Sequence, residues 1–223
     1  LDKNLMLIND GDTICIVGGG PGGSACALTL VKEARRLGRK INVVVLEHKE
    51  FTEQRHHNQC IGVLSPPFED ILKNELGLTL PENLVVDEIS GYCLHSDLLS
   101  LNLIGEEHGR SVSVVRSRFD AFMLEEAQKA GAQVVHNRVT AIEVNPDGVL
   151  VYSDGENIKS AVVVGAFGLD DGTCRIFEQG TEYRQPDFLN TVITRLYPGK
   201  EFMQSMGSTI HAFLLSHPGL EFG

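Results

Sequence analysis

With 223 residues, 42% of them apolar, the chain has the material for one large core or two modest ones, and nothing in its composition reads as disordered. A net charge of −11 repels phosphate backbones and anionic lipid, which disfavours nonspecific nucleic-acid binding and, except through local basic patches, acidic partners. Five widely spaced cysteines, Cys15, Cys26, Cys60, Cys93 and Cys174, include no C-x-x-C pair for zinc or dithiol chemistry and fit a reducing compartment. In chain order, 13–17 (TICIV) predicts a strand, 18–24 (GGGPGGS) a glycine-rich turn, about 22–37 a helix, and 41–47 (INVVVLE) a second strand ending in Glu47. The helix is expected to turn Ala25, Leu28, Val31 and Leu37 toward a sheet and to end at Gly38. A polar stretch, HKEFTEQRHHNQC, leads to an apolar step at 61–64 and a helix start at Ser65-Pro66-Pro67. Residues 84–104 show strand-like clusters without helical period, hence two or three strands. A strand at 111–115 and a helix over 117–129 follow, then strands near 133–135 and 139–144, and a hairpin through Asn145-Pro146-Asp147-Gly148 into 149–153. The run at 161–164 suits a buried parallel strand, and Asp10, Asp12, Asp170 and Asp171 read as turn carboxylates.

The chemistry concentrates in the first strand–turn–helix–strand. Gly18, Gly20 and Gly23 have G-x-G-x-x-G spacing after a strand and at the opening of a helix. Gly18 permits the tight turn, Gly20 lets the backbone approach a pyrophosphate, and Gly23 lets helix pack on strand. A diphosphate there would meet unpaired N–H groups and the positive end of the helix dipole. Glu47 can accept hydrogen bonds from ribose hydroxyls, and its charge argues against a 2′-phosphorylated nucleotide, which leaves FAD or NAD. With 23 glycines in the chain the bare spacing could arise by accident in a turn that binds nothing, so the weight rests on the surrounding strand, helix and acid. Metal binding is not expected. His56 and His57 are adjacent and point apart on a strand, with no carboxylate or third histidine at ligand spacing. His211, within HAFLL, reads as a satisfied core or groove histidine, and no G-x-S-x-G supports a serine hydrolase.

The order of these pieces resembles the FAD-dependent oxidoreductases built on the hydroxybenzoate-hydroxylase plan, most closely their geranylgeranyl reductase branch. The segments that carry the resemblance are CIVGGGPGGSACA, VVLE, QCIGVLSPPFEDIL and VVRSRFDAFMLEEAQKAGAQVVHNRVTAIEV, together spanning roughly 12–165, with HAFLLSHPGLEFG similar to the start of the substrate-side sheet. The fold implied is α/β: a Rossmann-like FAD-binding domain (1–83 and 105–178) with a three-layer parallel sheet and a β-hairpin insertion, and part of a mainly antiparallel substrate domain (84–104 and 179–223). By the same resemblance Gly18, Gly20, Pro21, Gly22 and Gly23 line the FAD diphosphate and Glu47 holds the adenosine ribose. Cys60, Ile61 and Gly62 lie beside the isoalloxazine, with Cys60 the catalytic candidate for gating or proton supply. Arg116 contacts the flavin cofactor from a helix N-terminus, the Val139 backbone meets the adenine, and Gly165, opening the segment that follows the apolar strand, is a further cofactor-binding position. A surface pair of Arg116 with Asp120, and Cys60 as a small buried hydrophobe, are the bland alternatives.

Two departures from the family pattern stand out. The usual G-A-D-G is here Gly165-Ala166-Phe167-Gly168, and the only Gly-Asp is Gly11-Asp12, ahead of the first strand. The chain is therefore expected to be the N-terminal portion of a longer enzyme, completed by a C-terminal region or a partner chain, and to bind FAD weakly in isolation. The implied reaction is reduction of an isolated carbon–carbon double bond in an isoprenoid or other lipid-like apolar small molecule, with NAD(P)H or another external electron donor. The alternatives are a flavin-dependent aromatic hydroxylase and a noncatalytic nucleotide-binding fragment. An NAD dehydrogenase is disfavoured because the later strands do not alternate regularly with helices. No run approaches the roughly 18 apolar residues of a membrane span. LDKNLMLIND also lacks the order of a secretion signal, so the cytoplasm is the expected location, with peripheral membrane contact through an apolar groove left open.

Overall fold

Short β-branched runs bounded by glycine and polar residues become strands, and the two long amphipathic segments become helices. The computed structural model describes residues 8–51, 60–104, 110–188, 191–194, 196–214 and 216. In chain order these form β1 (Thr13–Val17), α1 (Pro21–Arg36), β2 (Asn42–Leu46), β3 (Val63–Leu64) and α2 (Phe68–Asp70), which runs on into a π-helical stretch, Ile71–Leu76. Then come β4 (Val85–Ile89), β5 (Gly91–Ser96), β6 (Ser100–Ile104), β7 (Ser111–Val114), α3 (Arg116–Ala130), β8 (Gln133–Val135), β9 (Val139–Asn145) and β10 (Gly148–Ser153). The last elements are β11 (Ile158–Ser160), β12 (Val162–Gly165), α4 (Asp171–Gly180), α5 (Lys200–Met206) and β13 (Thr209–Leu214). The described residues divide into two compact units, one within 1–57 and 117–189, the other within 58–116 and 190–223.

The first unit is built on a parallel sheet in the order β12-β1-β2-β8. Ile14, Cys15, Ile16 and Val17 are at most 4% exposed, as a strand covered on both faces must be. Each such aliphatic side chain contributes about 1.5–3 kcal/mol on burial. On one face Cys15, Val17 and Leu46 share a core with Val139, Val149 and Val151 of the antiparallel sheet β11-β10-β9, and with Phe177 of α4. α1 packs on β1 and β2, and the Arg35 guanidinium donates to the Ala130 carbonyl, which ties α1 to the end of α3. The expected α1 stripe is corrected in part. Leu28 is buried, but Gly23, Ser24, Ala27 and Ala34 complete the inner face, while Leu37 is 60% exposed beyond the helix end. Small residues line that face because the helix lies close to the sheet.

β11, α4 and α5 were not anticipated. Asp170 is no simple turn carboxylate but the N-cap of α4: its Oδ1 accepts the Thr173 N–H at 2.9 Å and the Thr173 hydroxyl at 2.8 Å. Partial burial pushes its pKa up, and those two hydrogen bonds outweigh this and hold it below the ordinary value.

The second unit contains the antiparallel sheet β3-β7-β4 and the sheet β13-β5-β6, in which β13 runs parallel to β5. Pairing of β3 and β7 is what groups residues 63–64 and 111–114 with this unit. Its sheets keep apolar side chains on the surface: Val86, Leu98, Leu99, Leu101, Phe213 and Leu214 are 44–90% exposed. Arg110 gathers the carboxylates of Glu69, Glu82 and Glu88 at 2.8–3.4 Å, on a solvent-facing edge where such pairs add little stability.

Candidate functional site: the glycine turn at the carboxyl ends of the parallel strands

Val17, Leu46 and Gly165 are register partners across β2, β1 and β12, so these three strands end level with one another. In open α/β sheets that carboxyl edge, where connections leave in opposite directions, is where ligands bind. The chain leaves β1 through Gly18, whose φ is +106° and whose N–H donates to the Leu46 carbonyl at 2.8 Å. A Cβ there would lie 2.4 Å from the Ala166 carbonyl oxygen. At Gly23 a Cβ would lie 1.8 Å from the Gly18 carbonyl oxygen, so helix and strand approach through backbone alone. Gly20 differs. Its backbone is extended, and a Cβ would meet nothing within 4 Å. It caps α1 without a side-chain acceptor, Pro21 follows with no N–H, and the first turn holds no acid. The N–H groups of Gly22 and Gly23 therefore stand at the positive helix end with no intrahelical acceptor.

Glu47 follows β2 and is only 6% exposed. Its Oε2 accepts the Gly19 N–H and its Oε1 the Lys49 N–H, each at 2.7 Å. The carboxylate is thus fastened to the glycine turn, and each oxygen keeps a lone pair for a further donor. Two partners in this arrangement escape a reading of the spacing alone. Gly19, an x of the motif, must be glycine because a Cβ would meet Glu47 Cβ at 2.8 Å and Leu124 Cδ1 at 3.1 Å. Ser24, fully buried, donates its hydroxyl to the Gly19 carbonyl at 2.8 Å and holds the turn from the other side. His48 and Asp170 flank the edge; burial first, then the positive charge of Arg138, lowers the His48 pKa and keeps that ring neutral near pH 7.

The remaining candidate positions separate. Val139 is 5% exposed with its side chain in the core, which leaves only its backbone for a ligand. Gly165 is glycine for a packing reason: a Cβ would strike Phe167 Cε1 at 2.6 Å and Phe177 Cε1 at 3.0 Å. Phe167 packs with Phe177 and Tyr183 at ring-centroid distances of 4.7 and 5.8 Å. Gly11-Asp12 forms a turn in which Asp12 accepts the Asn9 N–H at 2.6 Å. In the second unit Cys60 and Ile61 are exposed. Cys60 Sγ accepts the Gly62 N–H at 3.4 Å, and Gly62 (φ +77°) abuts β7, where a Cβ would lie 1.9 Å from the Val114 carbonyl oxygen. Arg116 is the first residue of α3. His56 and His57 lie outside the described residues.

A parallel sheet whose level carboxyl ends carry a glycine turn, a helix N-terminus and a buried carboxylate is a dinucleotide-binding type of α/β fold, and with its antiparallel β-layer it matches the fold of solved flavin-dependent enzymes. The chain is 22% identical to the geranylgeranyl bacteriochlorophyll reductase-like protein of Thermoplasma acidophilum, with a TM-score of 0.57 over 76% of this chain and 42% of that one. It is 19% identical to halogenase PltM, whose structure holds phloroglucinol and FAD, with a TM-score of 0.56 over 74% and 36% of the two chains. Among curated proteins it is 30% identical over 168 residues to Protein FixC of Escherichia coli K12, covering 70% of this chain. The match spans 36% of the length of that relative. No protein-family profile matches the chain. Among the described residues no helix is long and apolar enough to cross a membrane.

Proposed function

We propose that this chain is the FAD-binding part of an FAD-dependent oxidoreductase. The observation that carries the reading is Gly20. Neighbouring atoms account for glycine at 18, 19 and 23, whereas no protein atom and no positive φ accounts for it at 20 or at 22, and Gly20 stands directly before an uncapped helix end and beside a buried carboxylate. Close approach of a diphosphate accounts for all three features at once. Gly18, Gly20, Pro21, Gly22 and Gly23 then form the diphosphate cradle, Glu47 takes the ribose hydroxyls, and the Val139 backbone takes the adenine. The charge of Glu47 selects against a 2′-phosphate. The roles of Cys60, Ile61, Gly62 and Arg116 beside the flavin rest on the sequence resemblance.

When bound, FAD supplies hydride-transfer chemistry that side chains lack. The substrate class we propose is an apolar small molecule with an isolated carbon–carbon double bond, such as an isoprenoid, with NAD(P)H or another external donor as the source of electrons. Saturating a double bond also requires a proton at the second carbon. Cys60 is the proposed source: an exposed thiol whose Sγ is oriented by the Gly62 N–H. The exposed apolar side chains of the second unit fit a proposal that further chain, or a partner, covers them in the complete enzyme.

The test is the native protein that carries this chain, purified without added cofactor. A flavin absorption spectrum, with FAD released on denaturation, is expected, together with anaerobic saturation of an isoprenoid alkene that slows in Cys60→Ala while flavin is retained. A nucleotide other than FAD, or none, would overturn the cofactor assignment. Oxygen consumption coupled to hydroxylation of an aromatic would replace the reductase reading with the monooxygenase one.

A further inference from the structure

β5 and β13 bring together three side chains that are up to 118 positions apart in the sequence, from Cys93 to His211. The strands run parallel with Cys93 opposite His211 and His95 opposite Phe213. Alternate strand residues share a face, so Cys93, His95 and His211 stand on one side of the sheet. His95 Nε2 lies 2.9 Å from His211 Nδ1. The ring planes differ by 9° with centroids 5.2 Å apart, so the two nitrogens face each other nearly in plane. The other nitrogen of His95, Nδ1, lies 2.8 Å from Ser100 Oγ on β6, and Phe213 stacks on the His95 ring at 4.6 Å. Cys93 is buried, the histidines are half-buried, and the thiol sulfur and one ring nitrogen from each histidine all lie within 4.8 Å of one another.

We propose that Cys93, His95 and His211 form a binding site for a divalent transition-metal ion of the zinc class, with a fourth position open to water. One thiolate and two imidazoles are a borderline-soft donor set, suited to zinc or cobalt and unsuited to calcium or magnesium, which take oxygen ligands. The distances decide whether the cluster can close. A tetrahedral ion with Zn–N of about 2.0–2.1 Å and Zn–S of about 2.3 Å sets N···N near 3.3 Å and S···N near 3.6 Å. The imidazoles must part by a few tenths of an ångström, and the sulfur must move by about 1 Å at most, which side-chain rotation supplies without strand movement. Ser100 acts as a positioning residue. The 2.9 Å contact between His95 Nε2 and His211 Nδ1 takes one proton between them in the absence of metal; with the ion bound, Ser100 would accept the Nδ1–H of His95 and leave its Nε2 lone pair to the ion, while His211 would carry its proton on Nε2 and coordinate through Nδ1.

The native protein, stripped of metal with a chelator, is titrated with Co²⁺ alone. One equivalent is expected to give visible d–d bands and a near-ultraviolet thiolate-to-cobalt band, both displaced by Zn²⁺. Cys93→Ser should remove the thiolate band, and Ser100→Ala, at an exposed position, should weaken Co²⁺ binding about tenfold with the fold intact. A wild-type titration without the thiolate band would overturn the site and leave a plain histidine–histidine hydrogen bond. This outcome needs no variant to fold.

Discussion

The glycine turn at 18–23 and the cysteine–glycine turn at 60–62 look alike at the level of packing and differ in what surrounds them. Each contains a glycine whose missing side chain admits a backbone carbonyl: Gly18 O at 1.8 Å from a Cβ on Gly23, Val114 O at 1.9 Å from a Cβ on Gly62. Around Gly23 stand an uncapped helix end, a buried carboxylate tied to the turn, and a glycine at 20 that no neighbour demands. Around Gly62 the described hydrogen bonds are those to Cys60 Sγ and with Val114 of β7. Glycines required by the fold are therefore a poor guide to function, and the informative ones are those the fold does not require, here Gly20 and Gly22.

That contrast can be broken by substitution. Gly23→Ala and Gly62→Ala should have the largest effect, each costing more than about 4 kcal/mol or preventing folding, because rigid backbone must move in both; denaturant unfolding in which either loses less than about 1 kcal/mol would show that the close approaches are absent. Next, Gly20→Ser keeps a good helix cap and should leave stability within about 0.5 kcal/mol of wild type while lowering FAD affinity about tenfold, equivalent to about 1.4 kcal/mol. A flavin titration in which Gly20→Ser matches wild type would break the distinction between fold glycine and ligand glycine. The smallest effect sharpens the comparison at the edge of the site. Asp170→Ala should cost about 1 kcal/mol near neutral pH through the lost α4 cap. Because the folded-state pKa of Asp170 is depressed, its contribution is present above the unfolded value of about 3.8 and is lost as pH falls through the lower folded value. Wild type and variant should then converge in acid; a difference that persists there would assign the effect to packing.

The β1–α1–β2 segment was legible because local rules act over a few residues: strand-length apolar runs, a helical period, glycines at a turn and an acid at a strand end. α4 was not, since Asp170-Asp171-Gly172 opens a helix with the residues of a turn, and only the Thr173 contacts to Asp170 identify the cap. Gly19 and Ser24 were missed for a related reason. Their partners, Glu47 in one case and the Gly19 carbonyl in the other, depend on where side chains point once helix and strand have packed.

By itself the sequence determined the strand–turn–helix–strand and its place among α/β folds, because these depend on conformational preferences and spacings within about 35 residues. Tertiary structure alone decided that Glu47 turns inward onto Gly19, that Phe167 joins an aromatic cluster, and that His95 meets His211. Those contacts join residues distant in the chain through strand register and core packing, and register is settled only when whole faces are buried together.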